Sequence, residues 1–168
     1  MKGFIIYATH EIINNQTVIQ LFGRLENDQS FCTINKFKPF FFIKSKDQKK
    51  LPKSLTAKIE KTKLTNFKSE PVLKISFENS TDKNLAFKTH RKEIDIYEAD
   101  IRPQYQFLIE NNILGNIEIE GEHQNSDKID RIYHEPKITP TEHKPDIKVV
   151  SLDIETDRSG VLYCVGLS

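Results

Sequence analysis

Phe37-Lys-Pro-Phe-Phe-Phe-Ile43 is the stretch on which the reading of the fold turns. Its apolar side chains fall on consecutive positions, so an extended segment here is apolar on both faces. Downstream, Leu51, Leu55 and Ile59 recur at i, i+4 and i+8, the stripe of one helical face. Two strands follow, near 64–67 and 72–77. Ser80 or Thr81 can then cap a weaker helix running to about Lys92, and a strand from Ile94 to Glu98 closes the series. The order β-α-β-β-α-β over about 36–99 is the ferredoxin-like arrangement, shared with RNA-recognition modules. Topology alone carries no RNA-binding claim, and the Gly-aromatic signature of an RNA-binding central strand is absent from Val72 to Phe77.

On the N-terminal side, residues 3–8, 17–23 and 30–34 read as short strands separated by Asn14-Asn15 and by Glu26-Asn-Asp-Gln29, so an antiparallel sheet opens the chain. On the C-terminal side, Asp100 can cap a helix that tolerates Pro103 in its first turn, buries Tyr105, Leu108, Ile109 and Ile113, and ends at Gly115. Residues 117–138 alternate as two further strands around the polar stretch Glu122–Asp127. The turn formers Thr139-Pro-Thr-Glu-His-Lys-Pro145 then mark a linker, dividing the chain into a domain over 1–147 and a second, truncated one over 148–168. The fold class expected is α+β.

Composition narrows the function classes. A chain of 168 residues, 37% hydrophobic, can bury a core without disulfides or a structural metal. Cys32 and Cys164 have no zinc-like spacing, and two free thiols suit a reducing cytosol. No apolar run is long enough for a membrane span and the N-terminus lacks the pattern of a secretory signal, so the expected location is cytoplasmic and the Asn15 and Asn79 glycosylation patterns are chance matches. His10, His90, His123, His134 and His143 show no ligand spacing, and no phosphate loop or nucleophile elbow is present.

The net charge of +1 conceals an asymmetry. Residues 1–92 hold 18 Lys+Arg against 8 Asp+Glu, and residues 93–168 hold 7 against 16. The basic excess is densest from Lys36 to Lys68, where 11 lysines are interleaved with Phe37, Phe40, Phe41, Phe42 and Phe67. Lysines of this kind can track a phosphate backbone while exposed rings stack on bases, which nominates Lys36, Lys38, Lys49, Lys50 and Lys53 as DNA contacts. The bland alternative is a solvated lysine face over core phenylalanines.

Chemistry is concentrated in Lys148-Val-Val-Ser-Leu-Asp-Ile-Glu-Thr156. On a strand, Val150, Leu152 and Ile154 face one way while Ser151, Asp153 and Glu155 share the other face. Two carboxylates at i and i+2 can hold one divalent ion and share a second. A pair of Mg²⁺ or Mn²⁺ ions so placed can activate a water and stabilise the leaving oxygen of a phosphodiester. A polar turn at Asp157–Gly160 and a second apolar strand, Val161–Leu167, follow; an ordinary solvated strand face is the competing reading of the triplet taken alone.

Ser151-Leu-Asp-Ile-Glu-Thr156 with Gly160-Val-Leu-Tyr-Cys-Val-Gly166 resembles the first exonuclease motif of family B DNA polymerases. Tyr97-Glu-Ala-Asp-Ile-Arg-Pro103 resembles the segment those enzymes carry before it, in wording nearest the bacterial members, and Phe37-Lys-Pro-Phe-Phe-Phe42 resembles their Pro-aromatic N-terminal strand. The resemblance implies an N-terminal domain that flanks the DNA and packs on a ribonuclease H-like 3′-5′ proofreading domain, whose first β-hairpin is 148–168. Asp153 and Glu155 would then be catalytic, metal-binding carboxylates using Mg²⁺ or Mn²⁺. It also implies primer-template and single-stranded template DNA as partners, dNTPs for the whole enzyme, and a sliding clamp as a further partner.

Some archaeal relatives sense uracil in template DNA, and Tyr7, Pro39 and Ile94 fall near the matching positions of a template-base pocket; the alternative makes these three core residues. The chain ends at Ser168, before the later exonuclease carboxylates, the palm aspartates and the fingers. The expectation is therefore an N-terminal fragment, inactive by itself, whose 148–168 hairpin either pairs with a second copy of the chain, the favoured outcome, or folds back on the N-terminal domain. The competing class is a freestanding, non-catalytic nucleic-acid-binding module of ferredoxin-like fold. A small complete Asp-Glu-Asp-Asp nuclease would need carboxylates that too little chain remains to supply.

Overall fold

In the computed structural model, which describes residues 1–142, 145–146 and 150–167, the chain opens on a long hairpin of β1 (Lys2–Ile13) and β2 (Gln16–Leu25). Asn14 and Asn15 turn it at φ 50° and 63°, the two successive left-handed residues that a two-residue hairpin turn requires. β3 (Ser30–Phe37) continues the antiparallel meander on β2. After Lys38-Pro39 the chain passes into a second sheet with β4 (Phe40–Lys44), a 3-10 turn at Ser45–Lys50, β5 (Lys58–Thr65), β6 (Pro71–Ser76), α1 (Ser80–His90) and β7 (Ile96–Tyr97). α2 (Pro103–Glu110) leads back to the first sheet, which gains β8 (Asn116–Glu120), β9 (His123–Gln124), β10 (Arg131–His134) and β11 (Lys137–Pro140).

The large sheet has the order β11-β8-β1-β2-β3-β10-β9, and the small one β5-β6-β4-β7. β10 runs parallel to β3, with Arg131 opposite Phe31 and His134 opposite Ile34, while the other pairings are antiparallel. The core of the large sheet is Ile19, Leu21, Leu25, Phe31, Ile117, Ile119 and Tyr133, closed by Phe107 of α2 and by Ile113.

β4 carries the apolar-on-both-faces pattern into space. Phe41 and Ile43 pack with Leu73, Ile75, Phe77, Ala86, Ile94 and Ala99 on the α1 side, while Phe40 and Phe42 pack with Val72, Phe37 and Tyr97 on the other. The segment is nonetheless two strands. Phe37 ends β3 and Phe40 starts β4, because Pro39 has no N–H to give a ladder; its carbonyl accepts from Phe77 N at 2.9 Å.

Several expectations are corrected. The Leu51/Leu55/Ile59 stripe is no helix: the only helical turn there is the 3-10 segment ending at Lys50, Pro52 removes a donor, and Ile59 pairs with Ile75 in the ladder of β5 on β6. Leu51 and Leu55 still pack on the α1-side core, so their burial was legible but not their backbone. The strand expected at 64–67 begins earlier, at Lys58, and leaves Phe67 in the turn after it.

α1 is capped by Asn79, not Ser80 or Thr81, with Asn79 Oδ1 accepting from Asp82 N at 2.8 Å. α2 starts from Arg102 without a side-chain cap and keeps Pro103 in its first turn, but its buried face differs from the one expected: Tyr105 and Ile109 are exposed, and Gln104 and Gln106 are buried. The reason is polar. Gln106 Oε1 accepts from Phe40 N at 3.2 Å and its Nε2 donates to Phe40 O at 2.7 Å, so the amide substitutes for a neighbouring strand at the start of β4. Asn112, at φ 54°, supplies the left-handed residue expected of Gly115.

β11 takes in Thr139 and Pro140, the first two residues of the expected linker, while the expected domain boundary at 147/148 and His143 lie outside the described residues. β12 (Leu152–Thr156) and β13 (Leu162–Leu167) form a separate antiparallel pair.

Candidate nucleic-acid interface and carboxylate pair

The β12–β13 hairpin is closed by one side chain. Asp157 Oδ1 accepts from Ser159 Oγ at 2.7 Å, Ser159 N at 2.8 Å and Val161 N at 2.9 Å, and these donors, the Ser159 hydroxyl first, hold the carboxyl below its usual range. Gly160 follows at φ 86°. Leu152 stands opposite Leu167 and Ile154 opposite Val165, whereas Asp153 stands opposite Gly166 and Glu155 opposite Cys164. One face of the hairpin is thus aliphatic. The other carries the two carboxylates over a glycine and a thiol, all exposed.

The open partner position at Gly166 leaves room on the carboxylate face. Asp153 and Glu155 are a chemically apt pair for a hard divalent cation, but Asp157 is engaged in the turn, and among the described residues no three His, Cys, Asp or Glu side chains gather as a metal site. Cys32 is buried, its thiol pushed up to about 11 by burial and secondarily by Glu11, so the two cysteines occupy unlike surroundings.

The five lysines read as DNA contacts form two groups. Lys36 and Lys38 lie at the end of β3 and just before β4; Lys49, Lys50 and Lys53 lie beyond its other end, and the five-residue strand between them spans roughly 17 Å. Lys38 pairs with Glu78 at 2.5 Å and Lys50 with Asp47 at 2.7 Å, while Lys49 and Lys53 are exposed with no ion pair among the described residues. The interleaved rings are not available for stacking there. Phe40, Phe41 and Phe42 are buried, and Lys74, which the sequence reading passed over, lies 3.9 Å above the Phe40 ring and pairs with Glu110. Phe67 alone of the set is fully exposed, at 110%.

Tyr7, Pro39 and Ile94 sit in three different surroundings. Tyr7 is exposed on β1 and borders a groove with His10, Lys83, Arg102 and Gln104; His10 Nδ1 and Gln104 Oε1 are 2.7 Å apart. Pro39 is buried, and Ile94 belongs to the α1-side core. Beneath Tyr7's groove, Lys83 is 2% exposed and donates from Nζ to Ala99 O at 3.0 Å and Ile101 O at 3.1 Å; burial lowers its pKa. Nothing in the spacing of α1 marked this lysine as an internal cap for the chain entering α2.

No family profile matches this chain. Over 75 residues, 44% of its length, it is 39% identical to DNA polymerase II of Escherichia coli (strain K12). In fold it is similar to the family B DNA polymerase from the hyperthermophilic archaeon Pyrobaculum calidifontis, with a TM-score of 0.75 over 92% of this chain at 19% identity. The chain spans 9% of the length of the first relative and 22% of the second. Over 44% of its length in sequence, and over 92% in fold, the chain is thus similar to DNA polymerases, the structural neighbour being of family B.

Proposed function

We propose that this chain is the DNA-flanking N-terminal domain of a DNA-directed DNA polymerase together with the opening hairpin of its 3′-5′ proofreading exonuclease. The observation that carries the reading is the placement of Asp153 and Glu155 side by side on the exposed polar face of β12, in a chain similar to family B polymerases. When bound in such a site, Mg²⁺ or Mn²⁺ would activate a water and stabilise the leaving oxygen of a phosphodiester. Asp153 and Glu155 would hold part of that ion set. The further ligands would come from elsewhere, so the chain alone binds Mg²⁺ poorly and cleaves no DNA.

The small sheet's order, β5-β6-β4-β7, supports a ferredoxin-like reading of that unit, with its first helix reduced to the 3-10 turn. Primer-template and template DNA, dNTPs and a sliding clamp are the partners this reading gives the whole enzyme, with cytoplasmic residence. Among the described residues no helix is long and apolar enough to cross a membrane. In the intact polymerase, changing Asp153→Ala and Glu155→Ala together should abolish 3′-5′ degradation of a primer and leave extension largely intact. Undiminished degradation would overturn the assignment.

A further inference from the structure

The turn between β5 and β6 presents one phenylalanine to solvent from a rigid frame. Asn66 Oδ1 accepts from Lys68 N and Glu70 N, both at 3.0 Å, while its Nδ2 donates to Glu70 Oε2 at 2.9 Å and to Tyr97 OH at 3.2 Å. Ser69, at φ 60°, donates its N–H to Asn66 O at 2.9 Å. Each polar atom of the Asn66 side chain is thereby spent on holding the turn, and the Phe67 ring is left outside at 110% exposure. A lone exposed apolar side chain is ordinary; one held out by a pinned turn beside a charged groove is pre-organised for a contact.

That groove, of about 530 Å³, runs from Phe67 and Lys68 past Lys44 and Tyr97 to Phe87 and Arg91. Arg91 Cζ lies 5.8 Å from the centre of the Phe87 ring. The local acids are already matched: Glu70 pairs with Lys46 at 2.6 Å and Lys44 at 3.4 Å, and Asp95 pairs with Lys44 at 2.8 Å. Lys68 and Arg91, with Lys61 and Lys63 on the strand leading to the turn, have no ion pair among the described residues. An open ring flanked by surplus cations complements a chain of phosphates bearing flat bases.

We infer that the β5–β6 turn and the Phe87–Arg91 groove form a binding track for single-stranded DNA, in which Phe67 stacks on a base and Lys68 and Arg91 take the adjoining phosphates. This rests on the DNA-flanking reading above and assigns the contact to a ring and cations outside the Lys49–Lys53 group.

The chain contains no tryptophan, so Phe67→Trp introduces a single indole reporter at an exposed position. Titrating the 168-residue chain with oligothymidylate at low salt should quench its fluorescence saturably. Lys68→Glu with Arg91→Glu should remove the quenching, and Phe67→Ala should weaken binding, read by anisotropy of labelled oligonucleotide, about tenfold. An abasic strand of equal length should bind as weakly to the parent chain as oligothymidylate does to the Phe67→Ala variant. Equal binding of abasic and base-bearing strands, or displacement by polyglutamate at equal charge, would reduce the track to general polyanion attraction and overturn the stacking. Tight binding with an unquenched indole would overturn this site and leave the DNA-flanking reading standing; no binding to either strand at low salt would overturn both.

Discussion

Glu70 shows how a single carboxylate organises a surface loop. Lys46, Asn66 and Lys44, in that order of hydrogen-bonding effect, hold its carboxyl at about 2 against an ordinary 4.5. A carboxyl whose folded pKa is depressed contributes stability that is present in full above 4.5 and is lost as pH falls toward about 2. Replacing Glu70→Gln should therefore lower the thermal midpoint at neutral pH, with the difference from the parent shrinking through that window and vanishing at its acid end. Melting curves collected as a function of pH check this. Asn66 and Glu70 were readable only as turn formers and a charge, because the five partners they hold come from three separate stretches of chain.

At the scale of the element, the strands depend on a few close approaches. β1 and β2 shift register between Ile5 and Tyr7, and Gly23 of β2 lies opposite Ile5 at that shift. A Cβ there would fall 2.0 Å from Phe4 O and 2.7 Å from the Phe31 ring. Gly23→Ala should cost on the order of 3 kcal/mol in equilibrium urea unfolding, since a backbone oxygen cannot move aside as a flexible side chain can. The alternating pattern of residues 17–23 predicted a strand, and the strand is there. Its glycine, a residue that ordinarily weakens a strand, is explained only by the bulge on the neighbouring one. The same logic separates the two helices: α1 was legible from its polar start, whereas the buried face of α2 was misread because Gln106 turns inward to the backbone of Phe40, 66 residues away in sequence.

For the whole molecule the unresolved balance is the β12–β13 hairpin, whose aliphatic face of Leu152, Ile154, Val165 and Leu167 stays exposed. A two-stranded sheet is marginal alone in water, and burying such side chains is worth roughly 1.5–3 kcal/mol each, so the face favours pairing with a second copy of the chain. Light scattering at high concentration should show a dimer, and Val165→Lys should return it to a monomer with rapidly exchanging amides across 152–167. A monomer with a protected hairpin would refute this pairing. The rest of the chain, with two sheets joined through Gln106, Phe107 and Phe37, has a core independent of the hairpin.

Sequence by itself determined the alternation of the N-terminal meander, the two-faced burial of Phe40–Ile43, the polar face shared by Asp153 and Glu155, and the blocks that resemble family B polymerases. These are local properties, set by side-chain period and residue type. Tertiary structure alone decided that β10 lies parallel to β3, that Leu51–Ala57 is a bend and turn leading into β5 rather than a helix, that Lys83 is buried as a cap, and that Phe67 stands free while its neighbours in composition are core. Each of these depends on a partner distant in sequence that satisfies a backbone group or covers a face, and no window of adjacent residues contains that partner.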